Sequence, residues 1–424
     1  MNEKPSTSQH PGATVRTQLA GLSRRFPCFD DLRRAARRRV PGFGFEYLDG
    51  GAGMDVGVKR NAAALDAVEI VPRYGNDVES VSLDVELFGR RYAAPVGIAP
   101  MGFPSLIWPG AEEHLARAAQ RARIPYTFGV VAGAEIERIA PLTRDVLWFQ
   151  LYRYGRNDHK IGFDIVRRAQ DAGAQVLVLT LDVPSRAKRP RELRNGLVFP
   201  YKPDARAVFD VLTSPHWVAA LLKHGAPRFA NLTPYIEKGA TSAEIGAFVR
   251  REMGGSFTWE EVARYRERWK GPLVVKGILH PDDAERAIAV GVDGIQVSNH
   301  GGRQLEGAPA AIDVLPAIAA RVKGRATILM DSGIRSGLDV IRAVALGASA
   351  AISGRMFMYG VAAIGAEGAD YVIELLVEEI HAALRQLGIR SMAQAASLVT
   401  RHPGALDFSE HDGRGRAAGP GQSG

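Results

Sequence analysis

Apolar runs that end in polar turns recur through the middle of the chain. There are eight of them, at residues 94–100, 125–130, 147–152, 176–182, 272–278, 294–300, 327–333 and 350–356. Charged, alanine-rich segments with helical spacing lie between most of the runs, as at 111–123 and 282–290. Apolar strands that alternate with helices are typical of a parallel sheet covered on both faces. Eight such units predict an α/β fold, a (β/α)8 TIM barrel, rather than an open sheet.

The segments outside these units have different compositions. Residues 1–28 are mostly polar, which predicts a disordered N-terminal segment. A short helical segment follows, with Asp30 or Asp31 as its candidate cap. We therefore predict a barrel domain over 29–400. The Gly- and Arg-rich residues 401–424 predict a flexible C-terminal tail.

The connection after the fourth strand is far longer than an ordinary strand-to-helix loop. Its last part contains the helix-capping pattern Thr258-Trp-Glu-Glu261. Residues 197–250 are therefore predicted to be an insertion. Within it, Pro215 and Gly225 mark the ends of a short helix. This helix either packs on the barrel or lies on a membrane interface, and both interpretations stay open at this point. The apolar residues predicted to share its face are Trp217, Val218, Leu221 and Leu222.

The composition is that of an ordinary soluble protein, with 46% hydrophobic and 24% charged residues. No apolar run is long enough for a membrane-spanning helix, and the first residues lack the apolar core of a secretory signal. The single cysteine, Cys28, forms no internal disulfide, which favours a reducing, cytoplasmic compartment. We expect no metal site.

The net charge is +8, and part of it lies in the arginine-rich run 33–39. This run is either a solvated helix face, a contact for acidic lipid or a source of charge that serves solubility alone. Nucleic acid is not an expected partner, because no aromatic residues interleave with the arginines.

Polar side chains cluster where six of the eight strands end. In (β/α)8 enzymes these C-terminal strand ends carry the chemistry, and residues two apart on a strand point to the same side. The sequence therefore predicts one polar site at the barrel mouth. Its candidate residues are Gln150, Tyr152, Thr180, Asp182, Lys276, Ser298, His300, Asp331 and Arg355.

The stretch 294–304, GIQVSNHGGRQ, concentrates candidate chemistry. His300 has a side chain whose ordinary pKa suits a general base. Arg303 has the geometry to grip a carboxylate with two hydrogen bonds. For this stretch alone, a core histidine beside a surface arginine is an equal alternative.

Two glycine-flanked segments with arginines, 331–335 and 353–355, follow the last two strands. Barrels commonly bind phosphate at this place. A phosphate here, with Lys276 in mid-barrel, predicts a phosphorylated cofactor. A cation in that position stabilises an anionic reduced flavin.

The motifs SNHGGRQL, FQLY, TLD, VKGI, DSGIR and SGR occur in one order along the chain. From about Phe29 to Gln394 the chain resembles the FMN-dependent α-hydroxy acid oxidases and dehydrogenases, which include glycolate oxidase, respiratory L-lactate dehydrogenase and mandelate dehydrogenase. The resemblance implies FMN-dependent oxidation of an L-2-hydroxy acid, lactate- or mandelate-like, to the 2-keto acid. The electrons would pass to a quinone or another acceptor; the alternative is an oxidase that uses oxygen and forms hydrogen peroxide. The resemblance also implies a homo-oligomer, a tetramer, with peripheral contact at the inner face of the cell membrane.

Residue roles follow from the resemblance. His300 would be the base and Asp182 its partner, which we expect to raise the pKa of His300. Arg189 and Arg303 would clamp the substrate carboxylate, and the hydroxyls of Tyr47 and Tyr152 would contact the carboxylate and the reacting oxygen. The residues implied around FMN are Pro100, Met101, Gly102, Gly129, Gln150, Thr180, Lys276, Ser298, Asp331, Gly333, Arg335, Gly354 and Arg355.

The chain departs from the family pattern at two of these positions. The turn after the first strand has Met101 where the family usually has threonine, and Gly129 stands where the family offers a serine or threonine. Gly102 and the long insertion resemble the membrane-associated dehydrogenases, so we expect a dehydrogenase rather than an oxidase. Another FMN barrel, such as a diphosphate isomerase, and a non-catalytic binder are less consistent with His300 and Asp182 together.

Overall fold

Eight parallel strands close into a barrel in the computed structural model, which describes residues 21–197 and 204–408. The strands are β1 (Val96–Ile98), β2 (Tyr126–Gly129), β3 (Leu147–Leu151), β4 (Val176–Thr180), β5 (Leu273–Ile278), β6 (Gly294–Val297), β7 (Thr327–Met330) and β8 (Ala350–Ser353). Each strand pairs with the next, and β8 pairs with β1 through Ala351 and Val96. The predicted (β/α)8 barrel is confirmed, and every strand lies inside its predicted run.

Side chains fill the barrel and close its lower end. All residues of β3 and β4 are buried, as expected for strands covered on both faces. Trp148 on β3 donates its indole N–H to the Tyr92 hydroxyl at 3.0 Å. Tyr92 belongs to a two-stranded sheet, Val85–Leu87 with Arg90–Tyr92, that packs on this end. The barrel is therefore a packed core with one open end.

Helices surround the barrel and cover its open end. The α-helices are Leu22–Arg25, Phe29–Arg39, Gly42–Asp49, Val56–Asp66, Pro104–Ile107, Ala111–Ala122, Ile136–Ile139, Lys160–Asp171, Pro190–Arg194, Ala205–Leu212, Pro215–His224, Ser242–Glu252, Trp259–Arg268, Pro281–Ala289, Ala311–Val322, Gly337–Ala345, Arg355–Ile364 and Gly368–Leu387. Short 3-10 helices are Ala140–Leu142, Ala230–Tyr235, His300–Gly302 and Met392–Ser397. The capping box predicted at Thr258 and Glu261 is present.

The folded chain begins earlier than residue 29. Residues 22–25 form a helical turn, and the Phe26 side chain is buried beneath the Tyr371 ring. The Phe26 carbonyl accepts a hydrogen bond from the Tyr371 hydroxyl at 2.6 Å. The predicted disorder is therefore wrong for 21–28, because one large apolar side chain finds a packing site. Residues 1–20 lie outside the described part of the chain.

The predicted helix caps at Asp30 and Asp31 are also wrong. The helix starts at Phe29 after an extended Cys28, whose thiol donates to the Asp31 carboxylate at 3.1 Å. At the other end of the chain, residues 401–408 pack on the barrel. Arg401 pairs with Glu69 in a short antiparallel sheet, and the Leu406 N–H donates to the Asp313 carbonyl at 2.9 Å. The predicted flexible tail is wrong for 401–408, and 409–424 are outside the described residues.

The insertion is largely helical where it is described, from residue 204 onward; 198–203 are outside the described residues. The helix Pro215–His224 has the predicted bounds. Its Trp217 is buried and meets the Phe43 ring edge-on, with centroids 5.8 Å apart. Leu222, however, is 83% exposed. The predicted shared apolar face is therefore wrong for Leu222.

Candidate active site

His300 lies just beyond β6 in an unusual backbone conformation. Its φ is 59°, in the left-handed region, and Gly301 and Gly302 follow at 66° and 73°. The Ser298 hydroxyl accepts from the His300 N–H at 3.0 Å, and the Ser332 hydroxyl accepts from the Gly301 N–H at 2.9 Å. A non-glycine residue in this region is costly, and such strain is concentrated at functional sites. The predicted sharp turn is thus present and fixed on two sides.

Two asparagines fasten this turn to a helix that precedes the barrel. The Asn61 and Asn299 amides exchange hydrogen bonds at 2.8 and 2.6 Å. Asn299 also accepts from the Gly302 N–H at 3.1 Å. The helix Val56–Asp66 is therefore part of the site. Sequence reasoning missed Asn61, because nothing in the pattern of that helix distinguishes it from a surface residue.

His300 and Asp182 meet across the barrel mouth. His300 Nδ1 lies 2.9 Å from Asp182 Oδ1, which leaves Nε2 as the nitrogen that can accept a proton. Burial raises the pKa of Asp182, but His300 and Lys276 outweigh burial and hold that pKa below its ordinary value. Asp182 is therefore an anion near neutral pH.

Opposing effects set the pKa of His300. Burial lowers it, Asp182 raises it, and Lys276 lowers it further, so that the net shift is downward. The expected contribution of Asp182, which raises the pKa of His300, is present, but the desolvation of the ring is the larger effect. The imidazole consequently stays neutral, and able to accept a proton, at pH values somewhat below its ordinary pKa.

Lys276 on β5 supplies a buried positive charge. Its Nζ lies 2.8 Å from Ser298 Oγ, 3.4 Å from Asp331 Oδ2 and 3.8 Å from Asp182 Oδ2. Burial lowers the pKa of Lys276, but the two carboxylates outweigh burial and raise it. Lys276 therefore stays cationic at the floor of the mouth, as its predicted role requires.

The two predicted clamp arginines are neighbours. The Arg189 Nε donates to the Arg303 carbonyl at 3.1 Å. The Arg303 Nη1 donates to the Tyr47 and Gly50 carbonyls at 2.6 and 2.7 Å, and its guanidinium lies 5.0 Å from the Tyr47 ring centroid. Tyr47 thus holds Arg303 in place.

Both predicted tyrosine hydroxyls belong to the same region. The Tyr47 hydroxyl donates to the Gly102 carbonyl at 2.8 Å, which joins it to the turn after β1. Tyr152 follows β3, and burial raises its pKa to about 12, with Lys276 opposing the shift. The phenol of Tyr152 is therefore protonated across the physiological range and is able to donate a hydrogen bond.

A cavity of about 410 Å³ opens at this end of the barrel. Its volume is within the range of roughly 300–1,000 Å³ that small-ligand pockets occupy. Twelve of the predicted site residues line it: Tyr47, Pro100, Met101, Gly102, Lys276, His300, Arg303, Asp331, Gly333, Arg335, Gly354 and Arg355. The other predicted residues adjoin this set.

The contacts of those adjoining residues are specific. The Gln150 amide donates to the Thr180 hydroxyl at 2.9 Å, and both side chains are buried. Gly129 lies against the turn after β1, where a Cβ would come within 3.0 Å of the Met101 carbonyl oxygen. A serine or threonine at this position would crowd the turn, so the departure from the family pattern at Gly129 has a steric reason.

The two arginines predicted to bind phosphate are engaged with protein atoms. Arg355 donates to the Leu48, Gly301 and Gly50 carbonyls at 3.0, 2.8 and 2.8 Å. Arg335 Nη2 lies 3.0 Å from both oxygens of Asp66, while its buried Nε has no partner among the described residues. Their phosphate contacts stay a prediction.

The cavity suits a phosphorylated flavin in other respects. The helix Arg355–Ile364 starts at its wall after Gly354, and unpaired N–H groups at a helix start favour an anion. Buried Lys276 and the unpaired Arg335 Nε add positive charge and a donor. A polar lining that carries both a cation and a helix start is what an anionic cofactor requires.

This barrel, with its His–Asp pair beside a cationic cavity, belongs to the FMN-dependent dehydrogenase family, which matches the chain over residues 36–401. An L-lactate dehydrogenase of Pectobacterium atrosepticum is 40% identical, over 87% of this chain and 95% of that protein. An L-lactate dehydrogenase of Alcaligenes faecalis is 38% identical, over 88% and 98%.

Similar solved structures are also hydroxy acid dehydrogenases or oxidases by name. The monotopic membrane protein (S)-mandelate dehydrogenase has a TM-score of 0.83 and 36% identity, over 88% of this chain and 98% of that one. A mandelate oxidase has a TM-score of 0.75 and 37% identity, over 89% and 99%. The predicted family and the FMN cofactor are confirmed. The predicted oxidoreductase class, which acts on the CH–OH group of a hydroxy acid, is confirmed as well.

Proposed function

We propose that the chain oxidises a lactate- or mandelate-like L-2-hydroxy acid to the 2-keto acid. The observation that carries the proposal is the His300–Asp182 pair at 2.9 Å, beside a cavity that Arg303 and Lys276 also line. A base with an anionic partner next to an arginine clamp suits a substrate that carries both a hydroxyl and a carboxylate.

Each residue has one task in this proposal. His300 Nε2 accepts the substrate proton, and Asp182 stabilises the imidazolium that results. Arg189 and Arg303 orient the carboxylate, and Tyr152 donates a hydrogen bond to the reacting oxygen. FMN, when bound, supplies the two-electron acceptor, and Lys276 provides the fixed positive charge that favours a reduced, anionic ring.

An anaerobic titration tests the proposal. The purified holoenzyme, yellow from bound FMN, is mixed with L-lactate or (S)-mandelate in the absence of oxygen. We expect its visible flavin absorbance to bleach as one keto acid forms for each flavin. The D-enantiomers serve as matched controls. A chain that takes up no FMN, or a flavin that no 2-hydroxy acid bleaches, would overturn the proposal.

The proposed acceptor is a quinone or another carrier rather than oxygen. Gly102 supports this, because it leaves the turn after β1 without the methyl group that many oxidases have there. A Cβ at Gly102 would lie 3.2 Å from the Tyr47 hydroxyl oxygen, so the missing methyl also leaves space for that hydroxyl. Peroxide formed in air as fast as keto acid, with no gain from a quinone or dye, would contradict the proposed acceptor.

We propose that the insertion makes peripheral contact with anionic lipid at the inner face of the cell membrane. None of the helices in 21–197 and 204–408 has the length and apolar character to cross a bilayer. The insertion nevertheless exposes four large apolar side chains, Val208 at 49%, Phe209 at 64%, Leu212 at 74% and Leu222 at 83%. Its helix Pro215–His224 contacts the arginine-rich helix Phe29–Arg39. Apolar side chains beside exposed arginines are what an interfacial lipid contact needs.

The proposed assembly is a homo-oligomer, a tetramer by resemblance. A second exposed apolar patch supports self-association: Val71 is 51% exposed, Tyr74 83% and Val399 67%, and the Val71 N–H donates to the Val399 carbonyl at 2.9 Å. Light scattering on the holoenzyme in detergent-free buffer measures the mass directly. A mass equal to one chain across the micromolar range would contradict the proposed assembly.

A further inference from the structure

A buried carboxylate, Glu192, lies between the two clamp arginines. Arg303 Nη2 donates to Glu192 Oε1 at 2.8 Å, and Arg189 Nη1 donates to the same oxygen at 3.2 Å. Arg186 Nη2 donates to the other oxygen at 2.9 Å. The Glu192 side chain is only 3% exposed. One oxygen atom therefore joins both arginines that face the substrate.

The charge of Glu192 offsets repulsion between the arginines. Burial lowers the pKa of Arg189, and the neighbouring Arg303 lowers it further, as expected for two cations in contact. Burial raises the pKa of Glu192, but Arg303, Arg189 and Arg186 outweigh burial and lower it, so the side chain is an anion near neutral pH. Without this anion the two guanidinium groups would separate or bind other acceptors.

Most guanidinium nitrogens of the two clamp arginines already donate to protein acceptors. Arg189 Nε donates to the Arg303 carbonyl, and Arg303 Nη1 donates to two carbonyls of the segment 47–50. Within the described part of the chain, Arg189 Nη2 and Arg303 Nε have no hydrogen-bond partner. Because Glu192 fixes one nitrogen of each guanidinium, it also fixes the direction of these two open donors.

The short helix that carries Glu192, Pro190–Arg194, is itself anchored by a neighbouring residue. The next residue towards the N-terminus, Arg191, donates to Asp49 at 2.8 Å and to Asp55 at 3.0 Å, and it also pairs with Glu46. The helix is thus anchored at two neighbouring positions: Arg191 meets Asp49 and Asp55 at the cavity wall, and Glu192 meets the clamp arginines. A side chain of glutamate length at this position meets both arginines at once.

We propose that Glu192 is a positioning residue that holds Arg189 and Arg303 as one carboxylate fork and thereby makes the site selective for planar carboxylates over simple anions. This inference rests on the proposed function, since it assigns the two arginines to the substrate carboxylate. It adds a residue that touches neither substrate nor cofactor and that acts only through the arginines.

Equilibrium binding to the holoenzyme tests the inference without turnover. Oxalate, a planar carboxylate, and chloride, a spherical anion, are each titrated while the flavin absorbance is followed. In Glu192→Gln we expect the ratio of the chloride Kd to the oxalate Kd to fall by about tenfold or more, the usual effect of losing a charge-assisted hydrogen bond. Both anions gain from the added positive charge, but only oxalate loses a fixed fork, and we expect that loss to be the larger effect.

Glu46→Gln is the matched control, because it removes a carboxylate that pairs with Arg191, on the same helix as Glu192, rather than with the clamp arginines. In Glu46→Gln the ratio of the chloride Kd to the oxalate Kd should stay within about twofold of the wild-type value, since the hydrogen bonds between Glu192 and the two arginines are unchanged. A merely structural role for Glu192 would lower thermal stability and weaken both anions alike, and would leave the ratio unchanged.

Each measured ratio either supports or contradicts the positioning role of Glu192. An unchanged ratio in Glu192→Gln, or an equal fall in Glu46→Gln, would overturn it. If Glu192→Gln loses its FMN, Glu192→Asp takes its place: the carboxylate remains but is too short to reach both arginines, and a wild-type ratio would again overturn the inference. If no 2-hydroxy acid bleaches the flavin of the wild-type enzyme, the proposed function fails. The ratio of the chloride Kd to the oxalate Kd still tests the role of Glu192.

Discussion

The barrel mouth and the insertion after β4 differ in how their side chains are held. At the mouth, His300, Lys276 and the clamp arginines each bond to groups from other elements, at 2.6–3.4 Å. In the insertion, Phe209 and Leu222 extend into solvent. Chemistry requires fixed geometry, whereas a lipid contact requires only an apolar surface with basic residues nearby. The two regions should therefore respond differently to substitution.

The replacement of His300 should give the largest effect. A general base contributes about 10²–10⁴-fold, so His300→Gln should slow flavin reduction by that order while FMN stays bound. Anaerobic stopped-flow absorbance measures the reduction rate, and vesicle binding should not change. A His300→Gln enzyme that is reduced at nearly the wild-type rate would remove His300 from the mechanism.

Lys276→Met tests the buried positive charge. It removes a cation whose neighbours Asp182 and Asp331 would then repel each other without compensation. We expect weaker FMN retention and a reduction rate lower by about 10²–10³-fold in the fraction that keeps FMN. Flavin content after gel filtration and the rate per bound flavin separate these two effects. Full FMN content together with an unchanged rate would contradict the assigned role.

Asp182→Asn tests the effect of the Asp182 charge on the pKa of His300. Burial lowers the pKa of His300 and Asp182 partly restores it, so loss of the Asp182 charge should lower the pKa further. Because the neutral imidazole is the active form, the acid limb of kcat/KM should move to lower pH, by about one unit or more. The maximal rate should fall, because the imidazolium loses its partner. An acid limb that moves to higher pH would contradict this relation.

Substitutions in the insertion should have the smallest effect on catalysis. Phe209→Ser and Leu222→Ser together remove two exposed apolar side chains and should leave kcat/KM within about twofold. Co-sedimentation with anionic vesicles should decrease and should be weakened by salt in the parent enzyme. Leu406→Ser, which replaces an exposed leucine outside the insertion, is the control. Equal vesicle binding by all three proteins would favour a packed insertion without lipid contact.

The sequence predicted the parts of the fold that follow a repeated pattern. Each of the eight strands lies within its predicted run, although the ladders are shorter than the apolar runs; β1, for example, spans only Val96–Ile98. Apolar residues continue past the last ladder hydrogen bond because the core extends beyond the sheet. Phe26 was missed because a single buried side chain produces no periodic pattern.

The site was predictable where a residue type has a distinctive chemistry. His300, Lys276 and Arg303 line the cavity as expected. Glu192 was missed because it lies in the basic run 186–194, where it resembles a solvated acid. The effect of Asp182 on the pKa of His300 was predicted in the right direction, but the larger effect of desolvation was not, because the extent of burial depends on every element that covers the mouth.

The closure of the barrel has a consequence for synthesis of the chain. The strand β1 forms its second set of ladder bonds with β8, about 250 residues later in the sequence. The cavity at the barrel mouth is lined by the turn after β1 together with Gly354 and Arg355. In a nascent chain on the ribosome, the backbone edge of β1 that pairs with β8 therefore lacks its partner until residue 353 has emerged. We therefore expect a product truncated before Gly354 to retain no flavin, so that FMN uptake would report that translation of the barrel is finished.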